Sequence, residues 1–180
     1  MERLKAWWAK RVNRSQDPAW RLYRLIAAQA VTPDRLAAFG MEDTPENRFE
    51  LLALHLAAAW NRMDVAANSV RRMRVSVTEA FVADMDASLR DMGAGDLGVG
   101  KRVKALTERL YGRLAGYAPA LIDGAAEAII DEALARNLYN DGFPADSDAP
   151  LRARLATRAM SVAWRKISDE SIRIGEVPDL

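Results

Sequence analysis

Apolar residues recur along this chain at three- and four-residue steps, which is the spacing of an amphipathic helix. The clearest run surrounds residues 81–117. Before a glycine-rich turn, the repeating positions are Val77, Phe81, Met85, Leu89 and Met92. After it, they are Val99, Val103, Leu106, Leu110, Leu114, Tyr117 and Leu121. This pattern predicts two helices joined by a short loop, packed as an antiparallel pair that buries both stripes.

Proline marks the start of several further helices. The pairs Asp17-Pro18, Thr32-Pro33 and Thr44-Pro45 each put a capping residue before a proline at the first helical position. No stretch alternates with the two-residue period of a β-strand. We therefore predict an all-α fold, a single helical bundle of about six to eight helices with short Pro-initiated connections.

The last helix is predicted to run from Pro150 to about Ile174, after a loop rich in proline, glycine and aspartate. Its apolar positions are less regular than those of the other helices. The expected core-facing residues are Leu151, Leu155, Met160 or Ala159, Val162 and Ile167.

The chain divides into three parts: a basic segment 1–16, an all-α domain 17–174 and a loose tail 175–180. The first segment carries Trp7 and Trp8 among several arginines and lysines. Two interpretations of it stay open. It is either a peripheral contact with an anionic membrane, or a terminal helix whose tryptophans fill a groove in the core.

Composition narrows the function classes. The chain has 180 residues, half of them apolar, so one domain can bury a substantial core. It has no cysteine and a net charge of +1, which disfavours thiolate chemistry and a general affinity for nucleic acid. The abundance of arginine and alanine is typical of GC-rich bacterial coding. We expect a cytoplasmic bacterial protein, with a peripheral position at the inner face of the inner membrane as an alternative.

The glycine-rich turn contains the letters G-x-G-x-x-G at residues 93–98. A dinucleotide site needs a strand before this motif, and here a helix precedes it. A weaker alternative survives, because the turn leads into a helix start with Lys101, Arg102 and Lys104 nearby, a place where an acidic group can bind. An all-α protein or enzyme acting on a phosphorylated or isoprenoid ligand through residues 93–104 is therefore the alternative function.

No set of residues suggests catalysis or metal binding. Asp84 and Asp86 are two positions apart on a helix and point to different sides, while Asp86 and Arg90 are spaced for an exposed ion pair. His55 is the single histidine and lies between two leucines, so we expect a satisfied, partly buried side chain. The sequence thus predicts neither an enzyme nor a cofactor.

Several short motifs resemble the ubiquinol–cytochrome c chaperone family, over roughly the middle two-thirds of the chain. The matching residues are Asp84-Met85-Asp86, Leu89-Arg90, Met92-Gly93, Gly95-Asp96-Leu97, Val99, Lys101-Arg102-Val103-Lys104, Tyr111-Gly112-Arg113 and Tyr117. Further matches are Arg48-Phe49-Glu50-Leu51, Leu54-His55-Leu56 and Ala133-Leu134-Ala135-Arg136-Asn137-Leu138-Tyr139. The sequence departs from the family at Gly100, where the resemblance leads us to expect a proline at the start of the second helix.

The resemblance implies a non-enzymatic chaperone that binds newly synthesised cytochrome b and promotes assembly of ubiquinol–cytochrome c reductase, complex III of the respiratory chain. It favours a position near the ribosomal exit tunnel. A regulator that binds nucleic acid is a third interpretation, which the sequence disfavours because the helix after the glycine-rich turn has a long apolar stripe and no separate small N-terminal DNA-binding unit is present. A chaperone for such a client is expected to offer an apolar groove with a polar rim. The predicted partner-binding residues are Asp84, Asp86, Arg90, Asp96, Lys101, Arg102, Lys104, Tyr111 and Arg113.

Overall fold

The computed structural model describes residues 17–93, 96–140, 142–143 and 148–180, without the side chains of Asp96 and Leu97. These ranges form eight α-helices and one 3-10 helix, and no strand occurs among them. The α-helices are α1 (Pro18–Ala30), α2 (Pro33–Ala38), α3 (Pro45–Asp64), α4 (Asn68–Asp91), α5 (Asp96–Tyr117), α6 (Glu127–Asn137), α7 (Ala149–Lys166) and α8 (Asp169–Arg173). The 3-10 helix is Ala118–Leu121, between α5 and α6. The all-α prediction is confirmed; the predicted N-terminal segment 1–16 lies outside the described residues.

The three Pro-initiated helices start where the sequence predicts. The side chain of Asp17 accepts a hydrogen bond from the backbone N–H of Ala19, at 2.9 Å. Thr44 caps α3 in the same way, since its hydroxyl oxygen accepts from the N–H of Asn47 at 3.1 Å. Each cap satisfies a backbone donor that the helix itself leaves unpaired, so the start positions are fixed locally.

Helix α3 lies at the centre of the bundle. Residues 49–59 are all buried, and α3 contacts α1, α2, α4, α5, α7 and the 3-10 helix. A helix that is apolar around most of its circumference is stable only inside a protein, which is the position that α3 occupies. None of the described helices is both long and apolar enough to cross a membrane.

Helices α4 and α5 contact each other, as predicted for the pair around the glycine-rich turn. Val77 and Phe81 are fully buried, and the Phe81 ring packs edge-on against Tyr23 of α1 at a centroid distance of 6.4 Å. Two details of the prediction are wrong. Met92 is 70% exposed, because α4 ends at Asp91 before that position reaches the core. Helix α5 begins at Asp96, so Gly100 lies inside the helix rather than at its start.

The predicted C-terminal helix is two helices. Helix α7 ends at Lys166, and Ser168 then caps α8 by accepting a hydrogen bond from the N–H of Ser171. The predicted core face of α7 is also wrong at Leu151, Leu155 and Val162, which are exposed. The residues that α7 buries are Ala149, Ala153, Thr157, Met160, Ser161 and Trp164. The tail beyond α8 contacts α1, since the Gln29 side-chain amide donates to the carbonyl oxygen of Pro178 at 2.9 Å.

A buried carboxylate joins α3 to α5. Glu50 is 1% exposed, and its two oxygens accept hydrogen bonds from Arg109 and from Arg113, whose Nε lies 2.7 Å away. The Arg109 guanidinium also binds the exposed Glu46 and lies over the Phe49 ring, 4.6 Å from its centroid. These hydrogen bonds raise the pKa of both arginines and lower the pKa of Glu46. The paired charges hold the two helices in one relative position.

The network extends from α5 to α6. Arg113 Nη1 lies 3.4 Å from Oδ1 of Asn137, and the Asn137 amide donates to the carbonyl of Ala133. A Cβ atom on Gly116 would lie only 2.7 Å from the same Asn137 oxygen. Glycine at that position therefore lets α6 approach α5 closely.

The single histidine is more deeply buried than expected, and its hydrogen bonding also differs from the expectation. His55 is fully buried, and neither ring nitrogen has a hydrogen-bond partner among the described residues. Burial, with a smaller effect of the Arg35 charge, lowers the pKa of His55 to about 3. The ring therefore stays neutral in the folded protein and acts as part of the apolar core.

Replacing Glu50 with glutamine should destabilise the domain by roughly 3 kcal/mol, because two partly buried arginines lose their shared carboxylate. Glu46→Gln is the matched control, since Glu46 also binds Arg109 but is exposed. We expect it to cost less than about 1 kcal/mol. Denaturant titration measures both values; equal losses would contradict a special role for Glu50.

Acidification between pH 7 and pH 5 should destabilise the protein through His55. In the unfolded chain this histidine takes up a proton below about pH 6.5, whereas in the folded chain it does not. The unfolded state then binds more protons, so the free energy of unfolding falls as pH falls, by up to about 1.4 kcal/mol per unit. The same series on His55→Leu should be flatter, and parallel curves for the two proteins would refute this assignment.

Candidate partner-binding surface

The predicted partner-binding residues lie on α4 and α5, but they do not all face solvent. Asp86 and Arg90 form the predicted ion pair on α4, with Arg90 Nε 2.7 Å from Asp86 Oδ2. The arginine lowers the pKa of that carboxyl group. Because the pair is exposed, it stabilises the helix only slightly and remains open to a partner.

Asp84 has a structural role that its sequence position does not reveal. Its carboxylate accepts a hydrogen bond of 2.6 Å from the hydroxyl group of Tyr23, a buried residue of α1. Burial, together with the Asp84 charge, raises the pKa of Tyr23. This bond ties α1 to α4, so Asp84 is only partly available to a partner.

Arg113 also faces inward. It binds Glu50 and Asn137 within the network described above, and its side chain is only 19% exposed. We therefore expect it to position α5 rather than to contact a partner directly. The side chain of Asp96, another predicted partner-binding residue, lies outside the described part of the structure.

Three basic residues occupy the first turns of α5, and all three are exposed. Lys104 lies 3.7 Å from Glu108, one turn further along the helix. Lys101 and Arg102 have no ion-pair partner among the described residues. Their charges are therefore open to acidic groups on another molecule.

An aromatic pair lies further along the same helix. Tyr111 is 51% exposed, and its ring packs edge-on against Trp60 of α3 with the centroids 6.4 Å apart. The Arg74 guanidinium lies over the Trp60 ring at 5.7 Å. Next to Tyr111, Gly112 faces open space. Trp60 is partly buried and Tyr111 is half-exposed, and tyrosine exposed in this way is frequent at protein interfaces.

We call the exposed residues Asp86, Arg90, Lys101, Arg102, Lys104 and Tyr111 the α4–α5 surface. It contains six of the nine predicted residues. On α5, Lys101, Lys104 and Tyr111 lie on one side at spacings of three and seven residues, while Arg109 and Arg113 lie on the other side. Arg102 lies seven positions before Arg109 and so shares the side of the two inward-bound arginines, but it is exposed near the start of the helix.

Sequence reasoning missed the function of Glu50. Its Arg-Phe-Glu-Leu context contributes to the family resemblance. In addition, a glutamate within a long apolar run itself indicates a buried carboxylate with cationic partners elsewhere in the chain. Arg109 and Arg113, one turn apart on another helix, supply the complementary charges. An isolated carboxylate in a buried helix requires such partners.

The described residues also line a cavity, but it does not resemble a binding site for the predicted client. A cavity of about 370 Å³ is lined by Gln29, Thr32, Asp34, Arg35 and Leu180. Four of its five lining residues are polar or charged, and they belong to α1, α2 and the connection between them, so it is not the expected apolar groove. In the described ranges, no three His, Asp or Glu side chains are close enough to hold a metal ion.

Comparison with known proteins gives two findings. The family model for the ubiquinol-cytochrome C chaperone matches residues 37–177. Among solved structures, the chain is similar to the crystal structure of the Cbp3 homolog from Brucella abortus, with 30% sequence identity and a TM-score of 0.74. That similarity covers 98% of this chain and 96% of the other. Among curated proteins, none matches the chain. The family match and the structural similarity agree, and the chain belongs to the ubiquinol–cytochrome c chaperone family.

Proposed function

We propose that this chain binds newly synthesised cytochrome b through the α4–α5 surface and so promotes assembly of ubiquinol–cytochrome c reductase. Membership of the family supports a role in assembly of complex III. The choice of client and of surface is our proposal. We further propose that the action is non-enzymatic and takes place at the cytoplasmic side of a bacterial inner membrane.

The observation that carries the proposal is the orientation of α5. The network around Glu50 binds Arg109 and Arg113 to α3. It leaves Lys101 and Lys104 exposed, and Tyr111 is half-exposed with its ring against Trp60 of α3. The exposed cations lie on the second and third turns of α5 and the exposed ring lies on the fifth. Such a surface suits a polypeptide with acidic loops next to apolar segments, because cations select the loops and the aromatic ring buries apolar area.

The residues beside Tyr111 on this surface have small side chains. Gly112 faces open space beside Tyr111, and Ala115 is exposed one turn further along α5. Small residues allow a helix of another protein to approach closely, while Tyr111 offers a rigid apolar contact that costs little side-chain entropy. This arrangement supports contact with a helix of the client rather than with a small molecule.

The remaining contacts that we propose involve larger assemblies. A position near the ribosomal exit tunnel would bring the α4–α5 surface to cytochrome b during synthesis. The basic segment 1–16, with Trp7 and Trp8, is proposed to add a peripheral contact with anionic lipid. Neither contact is needed for the tests that follow, which measure binding of the client.

Charge reversal by Lys101→Glu together with Arg102→Glu should weaken recovery of cytochrome b at least about tenfold, because both exposed cations then repel acidic loops. Tagged protein is isolated from cells that make complex III, and cytochrome b is quantified in the eluate. The matched control is Arg21→Glu with Arg72→Glu, an equal change of charge at exposed positions of α1 and α4.

The control pair should recover cytochrome b like the unchanged protein. The melting temperature of both double variants should stay within a few degrees of that of the unchanged protein, since no core contact is removed. A folded Lys101/Arg102 variant that recovers cytochrome b normally would remove these residues from the interface. A variant that unfolds would show that they are structural.

Tyr111→Ala should reduce binding of cytochrome b about fivefold or more, because a central aromatic contact commonly contributes more than about 1 kcal/mol. Tyr111→Phe should bind normally, since the proposal assigns a role to the ring and not to the hydroxyl group. Ile129→Ala, at an exposed apolar position of α6, serves as the control. Equal binding by Tyr111→Ala and the control would argue against the aromatic contact.

A further inference from the structure

Helix α7 has an apolar outer face that no described element covers. Leu151, Leu155 and Val162 are 49%, 56% and 39% exposed, and Ala159 beside them is also exposed. Their spacings of four, four and three residues place them along one side of the helix. The opposite side carries Ala153, Met160 and Trp164, which are buried in the core. Helix α7 is therefore apolar on both sides.

The charges of α7 all have the same sign. The helix contains Arg152, Arg154, Arg158, Arg165 and Lys166 and no acidic residue. Lys166 lies eleven positions after Leu155 and Arg158 seven after Leu151, so both border the apolar stripe. Lys166 is exposed and has no ion-pair partner among the described residues. The Arg158 side chain is 44% exposed, and its guanidinium lies 3.5 Å from Glu127 and donates to the carbonyl oxygen of Ala125 at 3.3 Å.

The acidic residues next to this face are neutralised by arginines of α7. Arg154 binds both Glu127 and Asp131 of α6, with its Nε 3.3 Å from Asp131 Oδ1. Arg165 lies 2.9 Å from Asp123 in the connection before α6. An approaching anionic surface would therefore meet an apolar stripe bordered by cations. The carboxylates of Glu127, Asp131 and Asp123 would not repel it as unpaired charges.

We propose that the outer face of α7 docks on the surface of an anionic lipid bilayer. Leu151, Leu155, Ala159 and Val162 would enter the boundary between headgroups and acyl chains. The long stems of Arg158 and Lys166 would cover apolar area, and the unpaired charge of Lys166 would meet lipid phosphates. The charge of Arg158 already neutralises Glu127, so that carboxylate would not repel the lipid. This contact is separate from the proposed N-terminal one, and it does not depend on binding of cytochrome b.

Vesicle co-flotation of the full chain tests the proposal, with phosphatidylcholine vesicles that contain or lack phosphatidylglycerol. The unchanged protein should bind the anionic vesicles and bind the neutral ones much less. For the triple variant Leu151→Gln, Leu155→Gln, Val162→Asn, the fraction bound to anionic vesicles should be at least about tenfold lower than for the unchanged protein. Val65→Gln with Val75→Asn, at exposed apolar positions on other elements, should bind like the unchanged protein.

Lys166→Glu is a second test that leaves the apolar stripe intact. It should reduce binding to anionic vesicles about fivefold at low salt and have less effect at high salt, because the contact is screened. Circular dichroism and melting temperature verify that each variant is folded. Since the vesicles contain no cytochrome b, this result is independent of the client experiments.

Three outcomes would overturn the proposal. The unchanged protein could fail to float with anionic vesicles. A folded triple variant could bind as well as the unchanged protein, which would locate the lipid contact elsewhere, as in segment 1–16. Finally, the protein could ignore vesicles while the triple variant loses a co-purifying protein, which would assign this face to a protein partner.

Discussion

The buried carboxylate of Glu50 is the constraint on which the arrangement of this bundle depends. A charge in the central helix requires compensation, and Arg109 and Arg113 supply it from one side of α5. Since these arginines are one turn apart, they fix both the rotation and the height of α5 against α3. Arg113 extends the link to Asn137 of α6, where Gly116 allows the close approach. Without the carboxylate, these contacts would no longer fix the rotation and the height of α5 against α3.

The same constraint explains how α5 presents a defined surface. With Arg109 and Arg113 bound to Glu50, the other side of α5 carries the exposed Lys101 and Lys104 and the half-exposed ring of Tyr111. A chaperone needs a binding face that survives release of its client, and a helix held from behind by ion pairs provides one. The outer face of α7 is held in a similar way, by the contacts of Arg154 to Glu127 and Asp131 of α6 along one edge.

Features set by local chemistry could be predicted from the sequence, and features set by tertiary contacts could not. The caps at Asp17 and Thr44 were predictable, because capping residue and proline suffice to start a helix. The core face of α7 was not, because small residues such as Ala153 fit against the crowded centre while Leu151 and Leu155 remain outside. The network of Glu50 was likewise hidden, since its partners lie about sixty residues away. The motifs did indicate the family, and six of the nine predicted contact residues are exposed.

Lysine-directed crosslinking tests most directly whether the α4–α5 surface holds the client. The chain has five lysines: Lys5, Lys10, Lys101, Lys104 and Lys166. In cells that make complex III, mild crosslinking followed by mass spectrometry should join Lys101 and Lys104 to cytochrome b. Arginine substitution of both should abolish these crosslinks without loss of recovery. Crosslinks to cytochrome b only from Lys166 or the N-terminal lysines, or recovery of the chain without cytochrome b, would contradict the account.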